Sequence, residues 1–243
     1  MTTGTFLDSF IDRSLIPKCI FIHIPKCAGT SVRNNFHLIS SHEYHATATT
    51  FIDALERTNP KTGLEEFLKR NPFTVVRNPF DRVVSWFFYH RKAVWSYGRE
   101  DYKYEPIYKV SVSDPKLAFE QWVLDRCPTH WDTPWGQHPT WAQPHERSGY
   151  HVFKNDPRPA AVWRQLNWLE YNNEVIVPSC NIVRYEELED TIPQLIDAGN
   201  MRRMKKSKRE TDYRDYYINP KLIDIVTELC KDDLDYFGYQ FGD

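Results

Sequence analysis

The sequence predicts an α/β protein with a central parallel sheet flanked by helices, and three short segments carry that expectation. Residues 19–24, Cys-Ile-Phe-Ile-His-Ile, form a β-branched and aromatic run, and residues 73–76 and 180–184 repeat the pattern. The first two lead through a small-residue or proline-containing turn into an amphipathic stretch, and the third through acidic residues, the alternation that builds parallel sheets. With 243 residues the chain is long enough for a substantial core, and a single domain over 1–243 is the expected organisation.

Composition excludes several function classes. A formal charge of -2 argues against a general nucleic-acid binder. No apolar run reaches membrane-spanning length, since Trp86-Phe-Phe-Tyr89 is bounded by Arg82 and by His90-Arg-Lys92. Residues 1–17 read as a short helix or arm ending at Pro17; Asp8, Asp12 and Arg13 interrupt any signal-peptide core. Five cysteines, scattered and without metal-ligand spacing, predict reduced thiols and a cytoplasmic setting.

The first strand runs into Pro25-Lys26-Cys27-Ala28-Gly29-Thr30-Ser31. Pro25 ends the ladder, Gly29 allows a tight turn, and Thr30 or Ser31 can cap a helix extending through Val32, Phe36 and Ile39. Strand, turn and helix N-terminus make an anion site, to which Lys26 adds a mobile positive charge. This is not the Walker loop, in which a lysine follows the last glycine; here Lys26 precedes Gly29.

His42 and His45 come next, before an amphipathic helix carrying Phe51, Ile52 and Leu55, with Thr47 or Thr49 as its cap. Two readings stand: solvated loop histidines, or a general base that takes a proton from a hydroxyl. A turn at 59–63 and a short helix at 64–70 lead into the strand at 73–76.

Arg77-Asn78 follows that strand, Pro79 opens a helix, and Asp81 lies in its first turn. Ser85 falls two turns on from Asn78, on the same side. Ligands collect at the carboxyl edge of parallel sheets, so Arg77 is expected beside the Lys26 loop if both strands share one sheet. A guanidinium and a hydroxyl can hold a phosphate there; the competing reading pairs Arg77 with Asp81 and packs Ser85 against the sheet.

Pro-Lys-x-x-Gly-Thr-Ser, followed by Val-Arg-Asn-Pro-Phe-Asp-Arg-Val-Val-Ser, resembles the two cofactor motifs of sulfotransferases that use 3′-phosphoadenosine 5′-phosphosulfate (PAPS). The pattern is similar to the carbohydrate-type branch that includes heparan sulfate 2-O-sulfotransferase and its bacterial relatives. The fold implied is the P-loop-NTPase-like sulfotransferase fold. The resemblance implies that Pro25, Lys26, Cys27, Ala28, Gly29, Thr30 and Ser31 form the 5′-phosphosulfate loop, and that Arg77 and Ser85 bind the 3′-phosphate. A His-x-Thr/Ser stretch in that branch carries the catalytic histidine and maps onto His45, with His42 as the alternative. A basic segment near the family's C-terminus closes over the phosphates, which selects Lys206, Ser207 and Lys208 from the run at 200–209.

The remaining segments set the surroundings. Residues 91–114 are charged and tyrosine-rich, and 115–125 form a helix with Phe119, Trp122 and Val123 apolar. Residues 127–160 are rich in Pro, Trp and His with little periodicity. Trp131, Trp135 and Trp141 there are candidates for an acceptor groove, against a purely structural loop. His138, His145 and His151 are too irregularly spaced for zinc. A helix is expected over 160–171, a strand over 180–184 ending in Arg184 as a structural ion-pair partner, and helices from Glu186 and over 222–229.

The implied activity is in-line transfer of a sulfuryl group from PAPS to the hydroxyl of a glycan or another alcohol. His45 is the base, Lys26 stabilises the oxygens, adenosine 3′,5′-bisphosphate is the product, and no metal, nucleic acid or membrane span is involved. Two alternatives remain at this stage: a catalytically silent nucleotide-binding module, and a kinase-like phosphotransferase, against which the missing Walker lysine counts.

Overall fold

A computed structural model describes residues 19–35, 39–40, 45–96, 113–129, 158–195, 209 and 211–243. In chain order, β1 (Ile20–Ile22), α1 (Gly29–Asn35), β2 (Ile39–Ser40), α2 (Ala48–Thr58), α3 (Gly63–Lys69) and β3 (Phe73–Val76) come first. Then follow α4 (Pro79–Ser96), α5 (Pro115–Leu124), the short pair β4 (Glu170–Tyr171) and β5 (Glu174–Val175), and β6 (Ile182–Arg184). The chain closes with α6 (Leu188–Leu195), α7 (Pro220–Leu229) and α8 (Lys231–Phe237). These elements fall into two compact units, and the chain crosses from the first to the second between Val76 and Arg77.

The first unit holds the described residues of 19–76 and 165–195. Its sheet has four strands in the order β2-β1-β3-β6, every pair parallel. The α/β class and parallel sheet expected from sequence are therefore what the chain adopts. All of β1 and β3 is buried, as a strand covered on both faces requires. Phe21 stacks on Phe73 across the pair with ring centroids 5.1 Å apart, and the Thr74 hydroxyl donates to the Ile22 carbonyl at 2.8 Å. The strand order reverses around β1 and β3, which makes their carboxyl ends the switch point of the sheet.

Local chemistry explains the helices of this unit. Thr47 caps α2 by accepting from the Thr50 amide at 3.2 Å, and Ala48, Phe51, Ile52 and Ala54 turn inward. Two expectations change. Helix α1 ends at Asn35, and Ile39 belongs to β2, paired with Ile20 of β1. Residues 160–171 are not one helix: two 3₁₀ turns, 160–162 and 165–168, are separated by Trp163 in an extended conformation, and β4 follows at Glu170. Asn172 and Asn173 both take positive φ, 52° and 65°, the left-handed pair that closes a two-residue hairpin between β4 and β5.

The second unit holds the described residues of 77–129, 158–164 and 209–243. Its core is aromatic. Phe87 of α4 meets Phe119 and Trp122 of α5 at 5.4 and 5.5 Å, and Phe119 meets Tyr217 at 5.2 Å. Phe241 closes the other side, 5.2 Å from Phe80 and 5.1 Å from Tyr217. Asp114 and Asn219 cap α5 and α7, each followed by proline at the first helical position. No described helix is long and apolar enough to cross a membrane.

Thr74 is the one hydroxyl inside the buried β3. Thr74→Val keeps the shape and removes the donor to Ile22, so we expect a loss of about 1 kcal/mol, read from the urea midpoint at unchanged slope.

Candidate active site

The chain leaves β1 at Ile22 and reaches the first turn of α1 seven residues later. This tight passage is made by placing Lys26 and Ala28 in the left-handed region, with φ of 67° and 59°. Two left-handed residues flank Cys27, which is not left-handed, so the sign of φ alternates along the turn. The turn is pinned from within. The Cys27 amide donates to the Ile24 carbonyl at 3.3 Å, and the amides of Ser31 and Val32 donate to Ala28 at 2.8 and 3.1 Å. The buried Cys27 thiol donates to the side-chain oxygen of Gln165, also buried, at 3.2 Å. Lys26 itself is half-buried.

His45 joins this loop through its backbone neighbour. Its Nδ1 lies 2.8 Å from the carbonyl oxygen of His23, the residue after β1. A carbonyl only accepts, so Nδ1 carries the proton and Nε2 carries the basic lone pair of the neutral ring. The His45 backbone is itself left-handed, φ 46°, and its carbonyl accepts from the Trp168 indole at 2.9 Å. The rings of His23 and His45 are 4.0 Å apart between centroids, tilted by 48°. Gly29 completes the contact: a Cβ there would stand 1.7 Å from the His23 ring, so only glycine fits.

In the second unit, Arg77, Asp81 and Ser85 follow one another at helical spacing, and all are buried. Arg77 Nε donates to Asp81 Oδ2 at 2.7 Å, and Arg209 Nη1 pairs with the other oxygen, Oδ1. One carboxylate thus faces two guanidiniums. Asn78 caps α4 by accepting from the Phe80 amide at 3.0 Å, and its own amide donates to the Gln240 carbonyl at 2.8 Å. The Tyr217 hydroxyl donates to the Phe80 carbonyl at 2.9 Å, and burial raises its pKa well above the usual phenol value, so it stays a donor. Arg82, buried, donates to the Trp163 carbonyl at 2.8 Å.

Of the residues expected from sequence, 25–31 and His45 lie together in the first unit. Arg77 and Ser85 lie together in the second. His42, Trp131, Trp135, Trp141, Lys206, Ser207 and Lys208 fall outside the described residues. Three further side chains emerge. His23 had a visible signal, a polar residue in an otherwise apolar run; Arg209 closes the basic run; Gln165 had none in sequence.

A parallel sheet whose strand order reverses at β1, with a tight left-handed turn joining that strand to the next helix, defines an α/β protein of the kind that takes ligands at the carboxyl edge of its sheet. Residues 16–240 match the sulfotransferase family, and the chain belongs to it. No curated protein and no solved structure gives a significant match. Membership makes the protein a transferase of sulfuryl groups.

Asp81 is nearly inaccessible and answers two positive charges. Asp81→Ala leaves both guanidiniums without it, and we expect a loss of about 3 kcal/mol in denaturant unfolding. An unchanged midpoint would show that the carboxylate is not their shared partner.

Proposed function

We propose that the protein uses PAPS to sulfate the hydroxyl of an acceptor, a glycan first among candidates, with both units acting as one sulfotransferase domain. The observation that carries the reading is the bond from His45 Nδ1 to the His23 carbonyl, in a chain of the sulfotransferase family. It supports His45 as the base, because Nδ1 bonded to a carbonyl leaves the lone pair of the neutral ring on Nε2. The turn fits a phosphosulfate by its chemistry: a half-buried ammonium, left-handed backbone at Lys26 and Ala28, and the close-packed Gly29 at the start of a helix.

PAPS, when bound, supplies the sulfuryl group and a phosphate that leaves. His45 Nε2 takes the proton from the acceptor hydroxyl as that oxygen forms its bond to sulfur and the sulfur–phosphate oxygen bond breaks. Lys26 and the amides of the turn hold the oxygens on which negative charge grows. By the family likeness, Thr30 and Ser31 complete the phosphosulfate loop, and Arg77 and Ser85 take the 3′-phosphate. Lys206, Ser207 and Lys208 cover the phosphates. Trp131, Trp135, Trp141 and His42 belong to the acceptor side. The likeness of the two motifs to the heparan sulfate 2-O-sulfotransferase branch favours a sugar hydroxyl.

The test is incubation with PAPS and a panel of glycans, phenols and alcohols, read by mass spectrometry for an added sulfuryl group. Transfer to at least one sugar is expected; transfer to none of the panel, with no adenosine 3′,5′-bisphosphate formed, would overturn the reading. Lys26→Ala should lower turnover by about 100-fold or more, the scale of one lost oxyanion donor. His45→Ala should bind adenosine 3′,5′-bisphosphate as the parent does and lose turnover by about 100-fold. A His45→Ala variant with full rate would move the base elsewhere.

A further inference from the structure

We infer that His23 is the positioning residue of this site, one side chain that sets the phosphosulfate turn and the base together. The inference rests on the sulfotransferase reading above and adds a residue to it. His23 directly follows a fully buried strand and is itself only 7% exposed. Its backbone carbonyl holds His45 Nδ1 at 2.8 Å, and its ring lies against the His45 ring at 4.0 Å between centroids. The opposite requirement comes from the turn. The His23 ring fills the space that a side chain at position 29 would need, where a Cβ would be 1.7 Å from both Cδ2 and Nε2. It also stacks over Phe21 of β1 at 5.8 Å, which fixes the ring to the sheet.

A single imidazole is therefore wedged between the start of α1, the last part of β1 and the base. The arrangement couples two groups that must be aligned within a fraction of an ångström for transfer: the amides and lysine that hold the phosphosulfate, and the nitrogen that takes the proton. No charge on His23 is required; its bulk and its flat shape do the positioning. The carbonyl selects hydrogen on Nδ1 only while the His45 ring stays against it, and one hydrogen bond leaves that ring free to swing away. The His23 ring closes that freedom.

The two functions of the ring separate experimentally, because a methyl group at position 29 can refill the space of a missing His23 ring but cannot reach the role of that ring against His45. The full chain is used, with adenosine 3′,5′-bisphosphate titrated calorimetrically and the imidazole ¹⁵N spectrum recorded, the His45 signals being assigned by their loss in His45→Gln. In the parent, His45 shows one tautomer with hydrogen on Nδ1. His23→Ala should weaken nucleotide binding on the order of tenfold and replace the single His45 tautomer by an average. His23→Ala/Gly29→Ala should recover binding to within about threefold of the parent while the His45 average persists. Gly29→Ala alone should lower the thermal midpoint by about 5 °C, and the double variant should regain most of it. Should His23→Ala not fold, His23→Leu, with bulk but no flat ring, tests the second function alone: the His45 average should appear and the loss from Gly29→Ala should not be relieved.

Unchanged His45 spectra in His23→Ala, with nucleotide affinity within about twofold of the parent, would overturn the inference. So would a Gly29→Ala midpoint loss that His23→Ala does not relieve. Absence of nucleotide binding by the parent would instead remove the sulfotransferase reading, while the spectra and the thermal comparison would still decide where His23 acts.

Discussion

The carbonyl of His23 is the point from which the first unit is organised. β1 is buried along its whole length, so the residue that follows it is held as firmly as the sheet itself. From there the chain must enter α1 almost at once, and left-handed backbone at Lys26 and Ala28 achieves it at a cost of about 1 kcal/mol for each residue. His45 adds a third such residue. Among the other described non-glycine residues, positive φ occurs near helix ends at Lys61, Asn71, Arg126 and Cys127 and in the β4–β5 hairpin at Asn172 and Asn173. At the site, lysine, alanine and histidine adopt it, and surrounding bonds hold them there: Cys27 to Gln165, Ser31 and Val32 to Ala28, and Trp168 to His45. Backbone held this way keeps its shape without a ligand, and in the proposed reaction a preorganised set of donors needs no rearrangement as charge develops.

The second unit solves a different problem, holding cations away from water. Arg77, Arg82 and Asp81 are all nearly inaccessible, and isolated charges in such places are costly. Asp81 divides its oxygens between Arg77 and Arg209, while the aromatic packing of Phe80, Tyr217 and Phe241 shapes the first turn of α4 around them. Tyr217 contributes twice, its ring to that packing and its hydroxyl to the Phe80 carbonyl. Cys230, by contrast, is chemically quiet: burial pushes its thiol pKa up to about 12.

What the sequence showed and what it hid follow from the range of the forces involved. β3 and the opening of α4 were readable because Phe73-Thr-Val-Val and Asn78-Pro79 act locally, through strand propensity and a cap. Thr47 was likewise a legible cap. The end of α1 was not, because β2 is only two residues long and exists by pairing with β1 rather than by its own preference. Residues 160–171 look helical by composition, yet Trp163 is drawn into extended backbone and its indole donates to the Arg158 carbonyl, a choice made by packing. The Asn172-Asn173 pair decides the end of that segment, because two asparagines accept the left-handed backbone of a two-residue hairpin turn. At the site, lysine, glycine and the histidine before Thr47 have chemistry that their spacing announces. The partnership of His23 with Gly29 spans a turn whose shape depends on two non-glycine left-handed residues, and no local pattern predicts those.

The Arg77–Asp81 pair bears on the choice between a structural and a functional arginine. A pair closed on itself would be neutral, and the sequence alone offered that reading. Arg209 changes the balance, because the three side chains together carry one formal positive charge, two guanidiniums against one carboxylate. Asp81 then orients rather than cancels: it fixes the Nε edge of Arg77 by a 2.7 Å bond and draws Arg209 to its other oxygen. A carboxylate shared in this way fixes one edge of each guanidinium, the side-chain type suited to bidentate recognition of phosphate in the proposed reading. The pair named in the competing reading is thus present, but it is not closed on itself, and Ser85 is a buried hydroxyl one turn along from Asp81.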